Sequence, residues 1–188
     1  MISILGNIAC GKSTLLRNLK KKGFQVLEEP VSDWRFLPKF YESPERWCFA
    51  LQVEVLHSYA KMGTSASNQI VERSAYEATN IFALNAHNNG QLTKEEYELI
   101  SDISEVQKFP DQFVYIASTP ELCHARLKTR NRDCEANVPL SYLKDLHLLY
   151  ETTVKQIRDK DIPITVINGD CTEEEMLKDF MITHPYSI

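Results

Sequence analysis

The sequence predicts an α/β fold: a parallel sheet of five strands with helices on both faces. Three observations predict it. Five short apolar segments, at residues 2–5, 24–27, 69–71, 113–117 and 164–167, alternate with stretches of helical period. Strands this short and this apolar are the kind buried on both faces, and parallel sheets bury their strands that way. The first of them runs directly into a glycine loop that opens a helix. In such folds ligands sit at the carboxyl ends of the strands, which is where chemistry is to be sought.

The elements follow in order. Ile2 to Leu5 is a β-branched strand ending at Gly6, and Met1 to Gly6 reads as that strand rather than as a leader. Lys12 to Lys22 is a helix closed by Gly23. A second strand from Phe24 to Leu27 ends at Glu28-Glu29-Pro30. Ser43 as N-cap and Pro44 at the first helical position open a helix to about Met62, stopped by Gly63. After the third strand a helix runs from Ala75 to about Asn88. Thr93 to Glu96 is a capping box that opens another. Thr119-Pro120-Glu121 begins a helix that runs into Arg126, Lys128, Arg130 and Arg132. A long helix spans Pro139 to about Ile157, and Thr172 opens the last one.

With 188 residues, the chain fits a single domain. It is 43% apolar and 25% charged, a soluble balance, and no apolar run approaches the ~18 residues of a membrane span. A net charge of −5 argues against nucleic acid and anionic membranes as partners. Five scattered cysteines without a C-x-x-C pair read as reduced cytoplasmic thiols rather than zinc ligands.

Gly6-Asn7-Ile8-Ala9-Cys10-Gly11-Lys12-Ser13 matches G-x-x-x-x-G-K-[ST], followed by Thr14. A random chain of this length carries that pattern roughly once in a hundred, and here it lies between a strand and a helix, as the motif requires. Backbone N–H groups and the helix N-terminus hold phosphate oxygens, Lys12 reaches the β- and γ-phosphates, and the Ser13 hydroxyl ligates Mg²⁺. The fold is thus of the P-loop NTPase type, three-layered, and the nucleotide is expected to be ATP. No N-K-x-D segment reads guanine, and the chain is too short for a motor or transporter ATPase. Cys10 places a thiol inside the loop at a helix N-terminus, where its oxidation would block ATP. At the end of the second strand, beside the loop, a carboxylate is placed to accept the proton of an attacking hydroxyl.

Glu29-Pro30-Val31-Ser32-Asp33-Trp34 resembles the E-P-V-x-x-W segment of the deoxynucleoside kinase family, which includes mitochondrial thymidine kinase, deoxycytidine and deoxyguanosine kinases and a multisubstrate insect enzyme. The likeness continues through Phe40-Tyr41, Pro44-Glu45-Arg46-Trp47, Leu51-Gln52, Glu72-Arg73-Ser74, Arg130-x-Arg132 with Glu135, and Val138-Pro139-Leu140-x-Tyr142-Leu143, so it covers residues 1 to about 150. It implies a compact member of that family that phosphorylates a deoxynucleoside 5′-hydroxyl. By the resemblance Glu29 is the general base, and Arg73 orients the 5′-oxygen and stabilises phosphoryl charge. Glu72 joins Ser13 in supporting Mg²⁺.

The remaining roles come from the same likeness. Gln52 reads the base, and its amide pairs with thymine or, flipped, with cytosine. Trp34 and Phe82 flank the base, and Tyr41 and Glu135 grip the 3′-hydroxyl. Arg130 and Arg132 belong to an Arg-rich lid over about residues 126–137; Lys128 stands where an arginine is usual. Ala78 occupies a position that is aspartate in members favouring cytosine or purines, which implies thymidine first and deoxycytidine second. Tyr59, a methionine in the insect enzyme, narrows the pocket toward pyrimidines. The family dimerises through long helices, so a homodimer is implied, with the stretch from Trp47 to Tyr59 either at its interface or in the core. Two other readings fit the same loop: a thymidylate kinase, which needs further cations for its acceptor phosphate, and a non-catalytic nucleotide-binding subunit.

Overall fold

A computed structural model describes residues 1–62, 69–130, 135 and 137–184. Its strands are β1 (Ile2–Leu5), β2 (Val26–Leu27), β3 (Ile70–Glu72), β4 (Gln112–Ala117) and β5 (Ile164–Asn168). They form one five-stranded sheet in the order β2-β3-β1-β4-β5, and every pairing is parallel. The helices are α1 (Lys12–Lys21), α2 (Leu37–Glu42), α3 (Pro44–Lys61), α4 (Ala75–Glu77), α5 (Leu84–Asn88), α6 (Lys94–Glu105), α7 (Pro120–Arg130), α8 (Leu140–Asp159) and α9 (Glu173–Thr183).

The strand order fixes the layers. Parallel crossovers are right-handed, so a connection that steps one way along the sheet lies on one face and the reverse step on the other. Only the step from β1 to β2 runs against the rest, which sets α1 apart from α3 to α8. Accordingly α1 packs on α9, while α8 packs on α7 and on the segment between α4 and α5. The central strands carry the core: Ile4, Ile70, Phe113, Val114 and Ile116 are all fully buried.

The predicted helix over 75–88 is interrupted. Ala78–Ala83 forms a π-turn between α4 and α5. Such insertions in a helix commonly stand at functional sites, and this one carries Ala78 and Phe82 to the cleft. The second strand is shorter than predicted, because Phe24 leaves the ladder and packs edge-on against Phe180 in the core, with ring centroids 6.2 Å apart. The capping box expected at Thr93 forms, and Thr172, expected to open the last helix, makes one as well. Ser43 stands at the N-cap of α3, but its side chain makes no capping bond. Its N–H instead closes α2 on Lys39 O at 2.9 Å, since α2, which the sequence reading did not anticipate, ends where α3 begins. The predicted stop at Gly63 lies outside the described residues.

Candidate functional site

At the carboxyl ends of the strands lies a cleft of about 950 Å³. Two glycines shape the loop at its edge. Gly6 and Gly11 have φ of 148° and 114°, left-handed conformations that favour glycine. A β-carbon on Gly6 would lie 2.6 Å from Cys10 Sγ, so no other residue fits without displacing the loop. The Asn7 side chain donates to Leu143 O and accepts from Ile8 N, each at 2.8 Å, which ties the loop to α8. Lys12 Nζ donates to Gly6 O and Asn7 O at 2.8 Å, and Ser13 Oγ donates to Glu72 Oε1 and Oε2 at 2.9 and 3.1 Å.

β3 ends at Glu72, and Arg73 follows with φ of 61°. A non-glycine residue in that region costs roughly 1–3 kcal/mol and persists only where its surroundings over-determine it. Here they do. Arg73 Nη1 donates to Glu29 Oε2 at 2.5 Å, Nε donates to Glu77 Oε1 at 3.2 Å, and the guanidinium lies 4.8 Å from the centre of the Phe82 ring. Glu29 lies past β2, which β3 separates from β1, so its carboxylate meets Arg73 at the end of the intervening strand. The other carboxylate oxygen, Oε1, accepts from the Tyr59 hydroxyl at 2.5 Å.

Burial sets the electrostatics. It pushes the Glu29 carboxyl above the ordinary carboxylate range, with Arg73 pulling the other way and Glu72 adding to the rise. Burial likewise pushes Glu77, fully enclosed, up to about 7 against the attraction of Arg73 and Lys12. Burial also works against the Arg73 cation, but Glu29, Tyr150 and Glu77 outweigh it and hold the guanidinium charged.

Of the residues singled out from sequence, Ile8, Ala9, Gly11, Lys12, Ser13 and Thr14 line the cleft on the loop side. Glu29, Trp34, Tyr41, Gln52, Glu72, Arg73, Ala78, Phe82, Arg130 and Glu135 also line it. Gln52 is buried on α3, and Trp34 Nε1 donates to Ser58 Oγ at 3.1 Å. Arg130 is ion-paired with Glu135. Gly6, Asn7 and Cys10 are set behind the lining. The Cys10 thiol is fully buried in the core instead of open in the loop, which weighs against the expected redox block. Arg126 does not extend as part of a lid: its Nη1 donates to Gly169 O at 2.9 Å and Cys10 O at 3.3 Å, and these carbonyls hold it down. Of the expected lid, residues 131–134, Arg132 among them, and 136 lie outside the described residues.

Three participants escaped the sequence reading. Glu77 accepts from Arg73, from the Tyr150 hydroxyl and, at 3.5 Å, from Gly6 N, so it joins β3, α8 and the loop. Its spacing of four residues from Arg73 was a usable signal. Tyr150, far away in sequence, left none. Tyr59 was read only as a pocket wall, and its bond to Glu29 depends on tertiary placement.

The comparisons with known proteins agree with this geometry. A family model described as deoxynucleoside kinase matches residues 2–184. A Fowlpox virus protein described as a probable deoxycytidine kinase is 32% identical over 184 residues, covering 90% of this chain and 78% of its own. Human mitochondrial thymidine kinase 2 is 32% identical over 197 residues, covering 96% and 74%. Among solved structures, deoxyadenosine kinase from M. mycoides with bound dCTP is alike in fold, with a TM-score of 0.88 at 23% identity over 98% of both chains.

Proposed function

Since the chain belongs to the deoxynucleoside kinase family, we propose that it transfers the γ-phosphate of ATP to the 5′-hydroxyl of thymidine, with deoxycytidine as a second substrate. The observation that carries this reading is the Glu29–Arg73 pair, bonded at 2.5 Å in the same cleft as the phosphate loop. A carboxylate at the acceptor position repels an acceptor phosphate and suits a neutral hydroxyl, which favours a nucleoside over a nucleotide acceptor.

In this reading Glu29 accepts the 5′-hydroxyl proton as the oxygen attacks the γ-phosphorus. The bond from that phosphorus to the bridging oxygen breaks and ADP departs. Burial that raises Glu29 makes it a stronger base than an exposed carboxylate. Arg73, held charged, faces the charge that builds on the transferring group. Lys12 and the loop N–H groups hold the donor phosphates, Arg130 adds a cation from the end of α7, and Arg132 adds another by the family pattern. Gln52 reads the pyrimidine between Trp34 and Phe82, while Tyr41 and Glu135 hold the sugar.

The residues fit Mg²⁺. That ion binds through one or two protein oxygens together with substrate phosphates, and Ser13 Oγ and the Glu72 carboxylate are hard oxygen donors within 3.1 Å of each other. Bound there, Mg²⁺ would offset phosphate charge.

The small Ala78, buried against the cleft, supports thymidine over substrates that would call for an acid there. The proposal extends to a single domain acting in the cytoplasm, a compartment that rests on the cysteine pattern, and to a homodimer. For the latter the supporting feature is on α3, where the half-buried Phe49, Ala50 and Val53 line a groove with Phe36. Steady-state kcat/KM for the four natural deoxynucleosides and thymidine monophosphate tests the reading. Thymidine is expected to rank first, and a purine deoxynucleoside or the monophosphate in first place would overturn it.

A further inference from the structure

We propose that Tyr59 is a positioning residue for Glu29, its hydroxyl fixing the carboxylate toward the acceptor while its ring walls the nucleoside pocket. The inference rests on the reading of Glu29 as general base and adds to it the group that aims that base.

Glu29 is poorly anchored by its own strand. β2 is two residues long and lies at the sheet edge, and Glu29 comes two positions after it ends. A glutamate side chain has three rotatable bonds, and burying one in a single conformation costs side-chain entropy. Something outside β2 must hold it. Two donors do, and each takes a different oxygen: Arg73 Nη1 on Oε2 and Tyr59 on Oε1, both at 2.5 Å. They come from the end of β3 and from α3, so the carboxylate is fixed at two points by elements independent of its own strand.

The clamp leaves capacity for the reaction. A carboxylate offers about four lone-pair sites, and the two donors occupy one on each oxygen. Tyr59 is well supported in turn. It is buried, and it follows Gln52 by seven residues and Val55 by four, which sets all three on one face of α3. All three line the cleft, so one helical face presents both the base-reading amide and the hydroxyl that aims Glu29. Reacting groups held in place avoid reorganisation during the reaction, and small misplacements are costly in rate.

Tyr59→Phe isolates the hydroxyl because the ring stays. The expected result with saturating Mg-ATP is a fall in kcat of about tenfold, with KM for thymidine changed less than twofold. An unchanged KM also reports a folded pocket. The same substitution is then made in Glu29→Asp, whose carboxylate is one methylene shorter and out of reach of the hydroxyl. There Tyr59→Phe is expected to add no further loss, the non-additivity of a coupled pair. An unchanged kcat in Tyr59→Phe overturns the proposal, as does an equal loss in both backgrounds. Glu29→Gln serves as the separate control: wild-type kcat in that variant removes the base assignment itself, whereas its inactivity alongside a silent Tyr59→Phe removes only the role of Tyr59.

Discussion

Glu77 makes folding stability depend on pH in a way one substitution can isolate. Its carboxyl is fully enclosed and bonded to Arg73 and Tyr150, with Oε2 free of any hydrogen-bond partner. Burial raises it from 4.5 to about 7 in the folded chain. A carboxyl raised on folding holds its proton more tightly in the native state. Its contribution is therefore fully present below pH ~4.5, is lost as pH rises through about 7, and stays level above that. At ~1.4 kcal/mol per pH unit this interval corresponds to about 3 kcal/mol. Glu77→Gln keeps the shape and an acceptor for Arg73 but cannot titrate. Urea unfolding of both proteins at pH 5 and pH 8 measures the difference between them. His184 also titrates on folding but is shared by both variants, whereas Glu29 acts on Glu77, so the same comparison in a Glu29→Gln background separates the two. Between pH 5 and pH 8 the wild type is expected to lose about 2.5 kcal/mol relative to Glu77→Gln, or roughly 5–10 °C in Tm for a chain of this size. Parallel stability–pH curves would refute the reasoning, since they would mean that Glu77 titrates alike in the folded and unfolded chain.

Other outcomes follow from the same geometry. Ala78→Asp puts a carboxylate into the cleft at a buried position, and kcat/KM for thymidine is expected to fall at least tenfold while the ratio of deoxycytidine to thymidine turnover rises. Lys12→Ala removes the cation bonded to Gly6 O and Asn7 O; a loss of roughly 100-fold or more in kcat/KM for ATP is expected from removing one such electrostatic contact, read by ADP release. Thr93→Ala breaks the capping box of α6, an exposed site far in sequence from the phosphate loop. It is expected to cost about 1 kcal/mol in urea unfolding with kcat unchanged.

What the sequence disclosed followed from how local each signal is. The phosphate loop, four of the five strands and the Thr93 capping box are written in contiguous residues, and each stands within about a residue of where those residues put it. The cleft-lining set was legible because its members fall at strand ends or in one ordered family pattern. Non-local features were hidden. The position of β3 between β1 and β2 decides that Glu29 meets Arg73 across a strand, and strand order is not encoded by any segment alone. The π-turn at Ala78–Ala83 has the composition of an ordinary helix, and tertiary packing imposes it. Phe24 reads as a strand residue by its apolar character, yet the core takes it out of the ladder. Cys10 reads as a loop thiol from its neighbours, while its burial comes from the strands behind the loop.

The proposed transfer turns on Glu29 taking the proton of a deoxynucleoside 5′-hydroxyl as the γ-phosphate of ATP moves. The most direct test is to incubate the protein with Mg-ATP and the four deoxynucleosides at equal concentration and to identify the products by chromatography, with Glu29→Gln in parallel. Thymidine 5′-monophosphate is expected as the main product, with a smaller amount of deoxycytidine 5′-monophosphate and neither from Glu29→Gln. No monophosphate from the wild type, or equal yields from both proteins, would contradict it.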